Sequence, residues 1–338
     1  MTTKEKLLAL LEKQGSAFIS GEEIAGKLYI SRTAVWKAVE ALRRDGYVIE
    51  AVQRRGYRLA GDADILSKEG VLSALKEEES MPPRMAEKLD LTCVRSITST
   101  NTVLRKRAEE GAREGCVLAA EEQTAGKGRA GRSFYSPQGS GLYMSLLIRP
   151  KGISAERAAR CTTMAAVAAC EAIEEVTGRP AQIKWVNDIY MQGKKVAGIL
   201  TEAAVDLESG NLGYAVLGIG FNVYPPREGF PDDLKERAGA ILKSPVRGVK
   251  NRLAAAFTAR FFSLFEAENS AQEGGGSPGY AAAYRQRCFV TGKRIDVLSG
   301  GEKTPALALG VDDECRLSVR YDDGRIETLS AGEVSIRI

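Results

Sequence analysis

The densest chemistry in the chain lies in seven residues, Gly126-Lys127-Gly128-Arg129-Ala130-Gly131-Arg132. Glycine lacks a Cβ, so backbone here can approach a ligand closely and take positive φ. Successive N–H groups in such a loop form an anion-binding concavity, and Lys127, Arg129 and Arg132 add full positive charge. The chemistry is that of holding a phosphate or a carboxylate. The plain alternative is a flexible basic surface loop, although a turn needs only one or two special residues.

Two familiar nucleotide motifs are excluded. Gly126 to Ser133 is one residue away from a P-loop, but Pro137-Gln138-Gly139-Ser140-Gly141 follows as turn chemistry, with no helix to hold phosphates. Gly218-Ile219-Gly220 lacks a third glycine and runs into Pro225-Pro226, which argues against a dinucleotide fingerprint. The chain has no histidine, which removes Ser-His-Asp and Cys-His catalysis and histidine metal sites. Chemistry must come from Lys, Arg, carboxylates, backbone donors and a phosphate- or carboxylate-bound Mg²⁺.

The elements that must position this loop follow from periodicity. Val117 to Gln123 reads as a strand entering it and Leu142 to Ile148 as an apolar strand leaving it. Leu91 to Val94 is a further strand, and Ser99-Thr100-Asn101 opens a helix, Thr102 to Glu110. Spacing alone makes Ser99 and Thr100 N-caps, yet a helix N-terminus also offers N–H groups to a ligand. Val71 to Lys76 is a short helix, Met81-Pro82-Pro83 a loop, and Ala155 to Thr177 one long Ala-rich helix. Gln182 to Trp185 is a strand broken at Val186-Asn187-Asp188. Ile189–Met191 and Lys195–Thr201 form a hairpin around Gln192-Gly193, and Tyr214 to Ile219 is another strand. Strands outnumber helices and hairpins recur, so a mixed α/β sheet is expected rather than a doubly wound parallel one. Lys184, flanked by apolar residues, should face an anion: Asp188, Glu202 or a ligand.

At 338 residues the chain has room for two or three domains, and its 44% apolar and 27% charged content is that of a soluble globular protein. No apolar run is long enough to span a bilayer, and the charged amphipathic N-terminus is not a signal peptide. Six cysteines without a C-x-x-C pair fit free thiols in a reducing cytoplasm. The net charge of +4 is concentrated at one end: residues 1–60 hold 11 Lys and Arg against 7 Asp and Glu, and the remainder is neutral. A small basic domain on a neutral body points to a nucleic-acid partner.

That N-terminal segment reads as a winged helix-turn-helix. Lys4 to Lys13 forms a helix with Leu7, Leu8, Leu10 and Leu11 on one face. A second helix starts at Ser20, and a third runs from Arg32 to Arg44 with Val35, Ala38, Val39 and Leu42 buried, ended by Asp45-Gly46. The helix-turn-helix spans 21–40. Tyr47–Val52 and Tyr57–Leu59 make a wing with Arg54 and Arg55 at its tip. With the third helix in the major groove, Arg32, Thr33, Trp36 and Lys37 face base edges.

Five ordered blocks resemble the biotin–protein ligase family. They are Ser99-Thr100-Asn101, Gln123 to Arg132, Lys184-Trp185-Val186-Asn187-Asp188, Lys195 to Leu200, and Gly218-Ile219-Gly220-Phe221-Asn222-Val223. With the winged helix in front, the chain resembles the bifunctional members that combine biotin–protein ligase with biotin operon repressor. The resemblance implies two steps. The biotin carboxylate attacks the α-phosphate of ATP, giving biotinyl-5′-AMP and pyrophosphate. A lysine of the biotin carboxyl carrier protein of acetyl-CoA carboxylase then takes the biotinyl group and AMP leaves. By the same resemblance Ser99, Thr100, Asn101 and Gln123 contact biotin, and Lys127, Gly128 and Arg129 enclose biotin and the adenylate. Lys184 and Arg129 are the catalytic cations, with Lys184 at the carboxylate and α-phosphate. Gly126, Arg132, Asn187, Asp188 and Asn222 serve ATP with its Mg²⁺, and the chain after Tyr224 orders over the adenylate. No metal is bound by the protein alone.

The family implies a fold of class α+β in three parts: a winged helix-turn-helix at 1–62, a mixed α/β biotin/lipoate ligase-like domain at 63–285, and a small SH3-like β-barrel at 286–338. Five short strands from Ile295 onward fit the last, after a Gly-rich linker at Glu273 to Gly279. Operator DNA and a ligand-linked homodimer are the implied partners, with no membrane. Two positions depart from the family: Lys127 stands where arginine is usual, losing a bidentate fork, and Val186 where proline is usual. Rival readings are a biotin-sensing repressor without ligation and a lipoate- or octanoate-type ligase on the same fold. Arg129 and Lys184 speak against the first, and the winged helix and biotin-type loop against the second.

Overall fold

The computed structural model describes residues 2–15, 17–44, 47–59, 64–149, 155–205, 212–272, 279–299, 302–330 and 332–336. The helix stop at Asp45-Gly46 and most of the Gly-rich linker, 273–278, lie outside them.

The N-terminal part contains helices α1 (Thr3–Gln14), α2 (Gly21–Leu28) and α3 (Arg32–Arg44) and the hairpin β1 (Ile49–Val52)–β2 (Gly56–Leu59). Ser20 Oγ accepts from the Glu23 N–H at 3.0 Å and Ser31 Oγ from the Ala34 N–H at 3.1 Å, so both helices of the helix-turn-helix start on capped termini. Leu7, Leu8, Leu11, Ile24, Val35, Val39, Leu42 and Ile49 close a core of their own.

The central body opens with α4 (Lys68–Leu75) and α5 (Pro83–Lys88), then β3 (Asp90–Ile97), α6 (Thr100–Glu109), β4 (Cys116–Gln123) and β5 (Gly141–Ile148). It continues with α7 (Ala155–Thr177), β6 (Gln182–Lys184), β7 (Asp188–Met191), β8 (Lys194–Val205), β9 (Leu212–Asn222), α8 (Val249–Gln272) and α9 (Gly279–Arg287). Seven strands form one sheet in the order β3-β4-β5-β9-β8-β7-β6. Only β3–β4 is parallel, so the sheet is mixed, as expected. Every residue of β5 is buried because helices cover both faces of the sheet at its centre. Alpha-6 packs on one face through Leu104 and Ala108, while α7 and α8 pack on the other. The C-terminal part has β10 (Arg294–Ser299), β11 (Glu302–Val311), β12 (Leu317–Tyr321), β13 (Ile326–Leu329) and β14 (Glu333–Ile336). They form a five-stranded antiparallel sheet ordered β13-β12-β11-β10-β14. Its core is continuous with that of the central body, and Trp185 Nε1 donates to the Cys315 carbonyl at 3.0 Å across the junction.

Three helices differ from the sequence expectation, among them α9, which no sequence signal marks. The loop placed at Met81-Pro82-Pro83 leads straight into α5, where Pro83 occupies the first turn, the helical position proline tolerates. Alpha-8 was given no element, since Ala254, Ala255, Ala256, Phe257, Ala259, Phe261, Phe262 and Phe265 bury most of its circumference and leave no single apolar stripe.

A buried polar network joins the parts. Lys250, at the start of α8, is 2% exposed and donates to Glu121 Oε1 of β4 at 2.9 Å. Asp64, the first described residue after the winged helix, accepts from the Lys250 N–H and, at 2.7 Å, from the Tyr224 hydroxyl. Burial pushes the Asp64 carboxyl up, opposed by the Tyr224 hydrogen bond and the Lys250 charge. Leu66 N–H donates to Glu121 and Ser67 N–H to Asn251, so residues 64–67 are held to the central body. Removing the cation takes the ammonium donor from buried Glu121 and the nearby positive charge from Asp64. Lys250→Met is expected to cost about 3–5 kcal/mol of stability, read as the shift in urea midpoint at constant slope.

Candidate functional site

The recess at the N-terminus of α6 is built by sequence-local rules. Ser99 has extended φ/ψ and caps the helix, its hydroxyl accepting from the Thr102 N–H. The cap turns Thr100 and Asn101 inward, where both are buried. Gln123 at the end of β4 accepts from the Thr100 N–H at 2.8 Å and hydroxyl at 3.1 Å, and donates to Ser136 Oγ at 3.2 Å. Ser145, in the middle of β5, donates within 2.8 Å of Thr100 Oγ1 and 2.6 Å of Asn101 Oδ1. Asn101 in turn donates to the Leu200 carbonyl and, at 2.9 Å, to Glu202. Gly218 and Gly220 of β9 make room for this set. A Cβ at Gly218 would lie 2.1 Å from Asn101 Oδ1, and one at Gly220 would lie 2.5 Å from the Phe134 ring.

The Gly/cation loop closes on itself. Gly128 N–H donates to the Arg132 carbonyl at 2.7 Å and Phe134 N–H to the Gly126 carbonyl at 2.9 Å. The Gly128 N–H is therefore spent within the loop, and the side-chain cations face the cavity instead. Gly126 lines neither the recess nor the cavity. Its role is close approach, since a Cβ there would meet the Phe134 carbonyl at 2.4 Å. Positive φ falls on Ala130 and Gly131 only. Arg129 Nη1 donates to Asn187 Oδ1 at 2.9 Å, fastening the loop to the turn after β6, while Asn187 Nδ2 donates to the Ile199 carbonyl. The Trp185–Val186 peptide in that turn is cis.

Lys127, Gly128, Arg129, Arg132, Lys184, Asn187, Asp188 and Asn222 line one cavity of about 520 Å³. Ser99, Thr100, Asn101 and Gln123 line a narrow recess that shares Lys127, Phe134, Gly198 and Leu200 with it. The predicted set is thus contiguous. The cavity holds six cationic side chains, with Lys195 and Arg237 added, against the carboxylates of Asp188 and Asp233. Lys195 forms an ion pair with Asp188. Glu202, the other carboxylate considered for Lys184, accepts from Asn101 and lies 3.9 Å from Arg105. Among the described residues no group of three His, Cys, Asp or Glu side chains is placed to hold a metal.

The second expected surface is separate. Arg32, Thr33, Trp36 and Lys37 are all exposed on α3, and Arg54 and Arg55 are exposed at the wing tip. Arg55 and Arg58 lie over the Phe18 ring at 4.4 and 4.7 Å, which orients the wing.

Comparison with known proteins gives three ordered family matches: an HTH domain over 3–58, the biotin/lipoate A/B protein ligase family over 93–222, and the biotin protein ligase C-terminal domain over 290–337. The chain is 40% identical over 240 residues to the bifunctional ligase/repressor BirA of Bacillus subtilis, covering 71% of each. It belongs to the bifunctional biotin–protein ligase/repressor family. Escherichia coli BirA aligns over 341 residues at 27% identity, covering 99% of this chain and 98% of that one. A solved biotin protein ligase from Aquifex aeolicus in complex with biotin and ATP superposes with a TM-score of 0.58 at 25% identity, covering 73% of this chain and 98% of that chain.

Within this ligase/repressor several cavity residues escaped sequence reasoning. Ser145 is the one small polar residue in an otherwise apolar strand, and that was its only signal. Phe134 looked like an ordinary aromatic after the loop. Phe230, Asp233, Leu234 and Arg237 come from the turns after β9, and Val334 from β14; sequence distance hid both. Because Asn101 is held by three partners, it cannot yield cheaply to an added methyl. Gly218→Ala is expected to lower stability by about 1–3 kcal/mol through overpacking and to weaken biotin binding, measured by thermal unfolding and calorimetric titration.

Proposed function

We propose that this protein joins biotin to ATP in the cavity beneath the Gly/cation loop and then passes the biotinyl group to a lysine of the biotin carboxyl carrier protein of acetyl-CoA carboxylase. Its winged helix represses biotin synthesis at an operator. The observation that carries the reading is the convergence of six cations and the Thr100–Asn101–Gln123–Ser145 hydrogen-bond set on one connected space. Work divides along the chain: 1–62 for DNA, 63–285 for ligation, and 286–338 for closing the cavity through Val334 and through the Cys315 carbonyl, which accepts from Trp185. The six free thiols fit a cytoplasmic setting.

In the first step a biotin carboxylate oxygen bonds to the α-phosphorus of ATP as the bond to the pyrophosphate oxygen breaks. Negative charge grows on the non-bridging and leaving oxygens. Lys184 and Arg129 face the cavity where that charge develops, and fixed cations there lower the barrier without reorganising. Asp188, paired with Lys195, would be the carboxylate to hold a Mg²⁺ carried by the phosphates, and the ion would supply further charge neutralisation there. In the second step the acceptor amine attacks the acyl carbon and AMP leaves. Arg129, tied to Asn187, holds the loop closed over the reactive anhydride between the steps.

Purified protein with Mg²⁺ should catalyse ATP–pyrophosphate exchange with biotin and not with lipoate or octanoate. Absence of exchange in folded protein, or exchange with lipoate, overturns the ligase assignment. Arg129→Gly should release biotinyl-AMP and label bystander lysines, a loss of selectivity visible by mass spectrometry. Biotinyl-AMP should also drive sedimentation from monomer to dimer, giving a palindromic operator; a ligand-independent sedimentation coefficient refutes that part.

A further inference from the structure

Tyr29 ends α2 with φ 55° and ψ 48°, in the left-handed region. Its N–H caps the helix and the Ile30 N–H donates to the Ala25 carbonyl at 3.0 Å, the backbone pattern that favours glycine at this place. A tyrosine there is sterically disfavoured. No burial repays it: the side chain is 95% exposed, and among the described residues no hydrogen bond or ring contact engages it. The chain thus holds a large aromatic in a disfavoured backbone conformation and points it at solvent. Such outliers collect where a ligand will be met.

Its surroundings say which ligand. Tyr29 sits in the turn that leads into α3, three residues before Arg32, at the end of that helix carrying Arg32, Thr33 and Lys37, all exposed. Trp36, 55% exposed, follows on the same helix. A recognition helix enters the major groove by its N-terminal end, so the turn before it lies beside the backbone flanking the groove. A neutral phenol on a basic surface suits that backbone, with the hydroxyl donating to a phosphate oxygen and the ring against the sugar.

We propose that Tyr29 is a DNA-backbone contact that positions the recognition helix. This rests on the winged helix binding DNA. The test uses the full-length protein with biotinyl-AMP and a mixed-sequence duplex of about 40 base pairs at low salt, because a phosphate contact needs no particular sequence. Tyr29→Gly should bind about tenfold more weakly while its melting temperature stays level or rises, since glycine accepts the left-handed conformation. Tyr29→Phe should lose most of the same factor. The slope of log affinity against log salt should not change in either variant, because no cation has been removed. Equal affinity of wild type and Tyr29→Gly, or a changed salt slope, overturns the Tyr29 assignment alone. Failure of the wild type to bind any duplex overturns the assignment together with the DNA-binding reading.

Discussion

A buried ammonium sets the terms for the rest of this structure. Lys250 is taken out of water at the head of α8, and such a charge is tolerable only when paired and hydrogen-bonded. Glu121 and Asp64 meet the requirement, and each is fixed to something functional. Glu121 stands two residues before Gln123 on β4, so the strand that presents Gln123 to the recess is pinned from behind. Asp64 binds the Tyr224 hydroxyl, two residues beyond Asn222, so the start of the cavity-lining turns is pinned as well. An apolar side chain in place of Lys250 would take the ammonium donor from Glu121 and the neighbouring positive charge from Asp64, which keeps its bonds from the Lys250 N–H and the Tyr224 hydroxyl; the sheet and α8 are thereby held in one relative arrangement.

The same network gives the winged helix a physical connection to the ligand cavity. Tyr224 touches Asp64, and Asp64 directly follows the segment that joins the two parts. Two further contacts run alongside: Arg247 donates to the Leu11 carbonyl of α1, and Lys4 lies 3.6 Å from Glu69 of α4. Both are weak compared with a core contact, and a cavity of about 360 Å³ separates α1 from α4 and α5. Around that gap the described contacts of the winged helix with the central body are few and polar, whereas the chain from Asp64 onward is locked to the cavity wall. A shift of Tyr224 has to be answered at Asp64, because a buried carboxylate cannot lose its donor without cost.

Much of this was legible in the sequence where a single rule dominated. Alpha-7 has the bounds that its Ala-rich run implies, and the winged helix follows from caps and an apolar stripe on α3. The predicted site residues lie in contiguous spaces because strand ends and one helix start carry them, although Gly126 serves packing rather than lining. What could not be read was set by tertiary partners. Alpha-8 is apolar nearly all round because β-sheet and α7 cover it together, so periodicity carried no signal. Gly218 and Gly220 read as a failed dinucleotide motif, yet their job is to leave space for Asn101 and Phe134, residues far away in sequence. Lys250 gave no hint at all, since burial of a lysine depends on carboxylates brought from β4 and the linker.

The absence of histidine becomes intelligible once the cavity charge is counted. A carboxylate nucleophile is already ionised near neutral pH and needs no base. The acceptor lysine is different, because its amine must lose a proton before it can attack. Six cationic side chains against two carboxylates, one of them held by Lys195, make the cavity hostile to an incoming ammonium. Like charges disfavour the charged form of a group, so in the proposed reaction this field would favour the neutral form of the entering lysine, its proton going to solvent. The charge proposed to steady the phosphates in the first step would thus also favour the neutral amine in the second. A histidine base would add little where the surrounding charge already favours deprotonation.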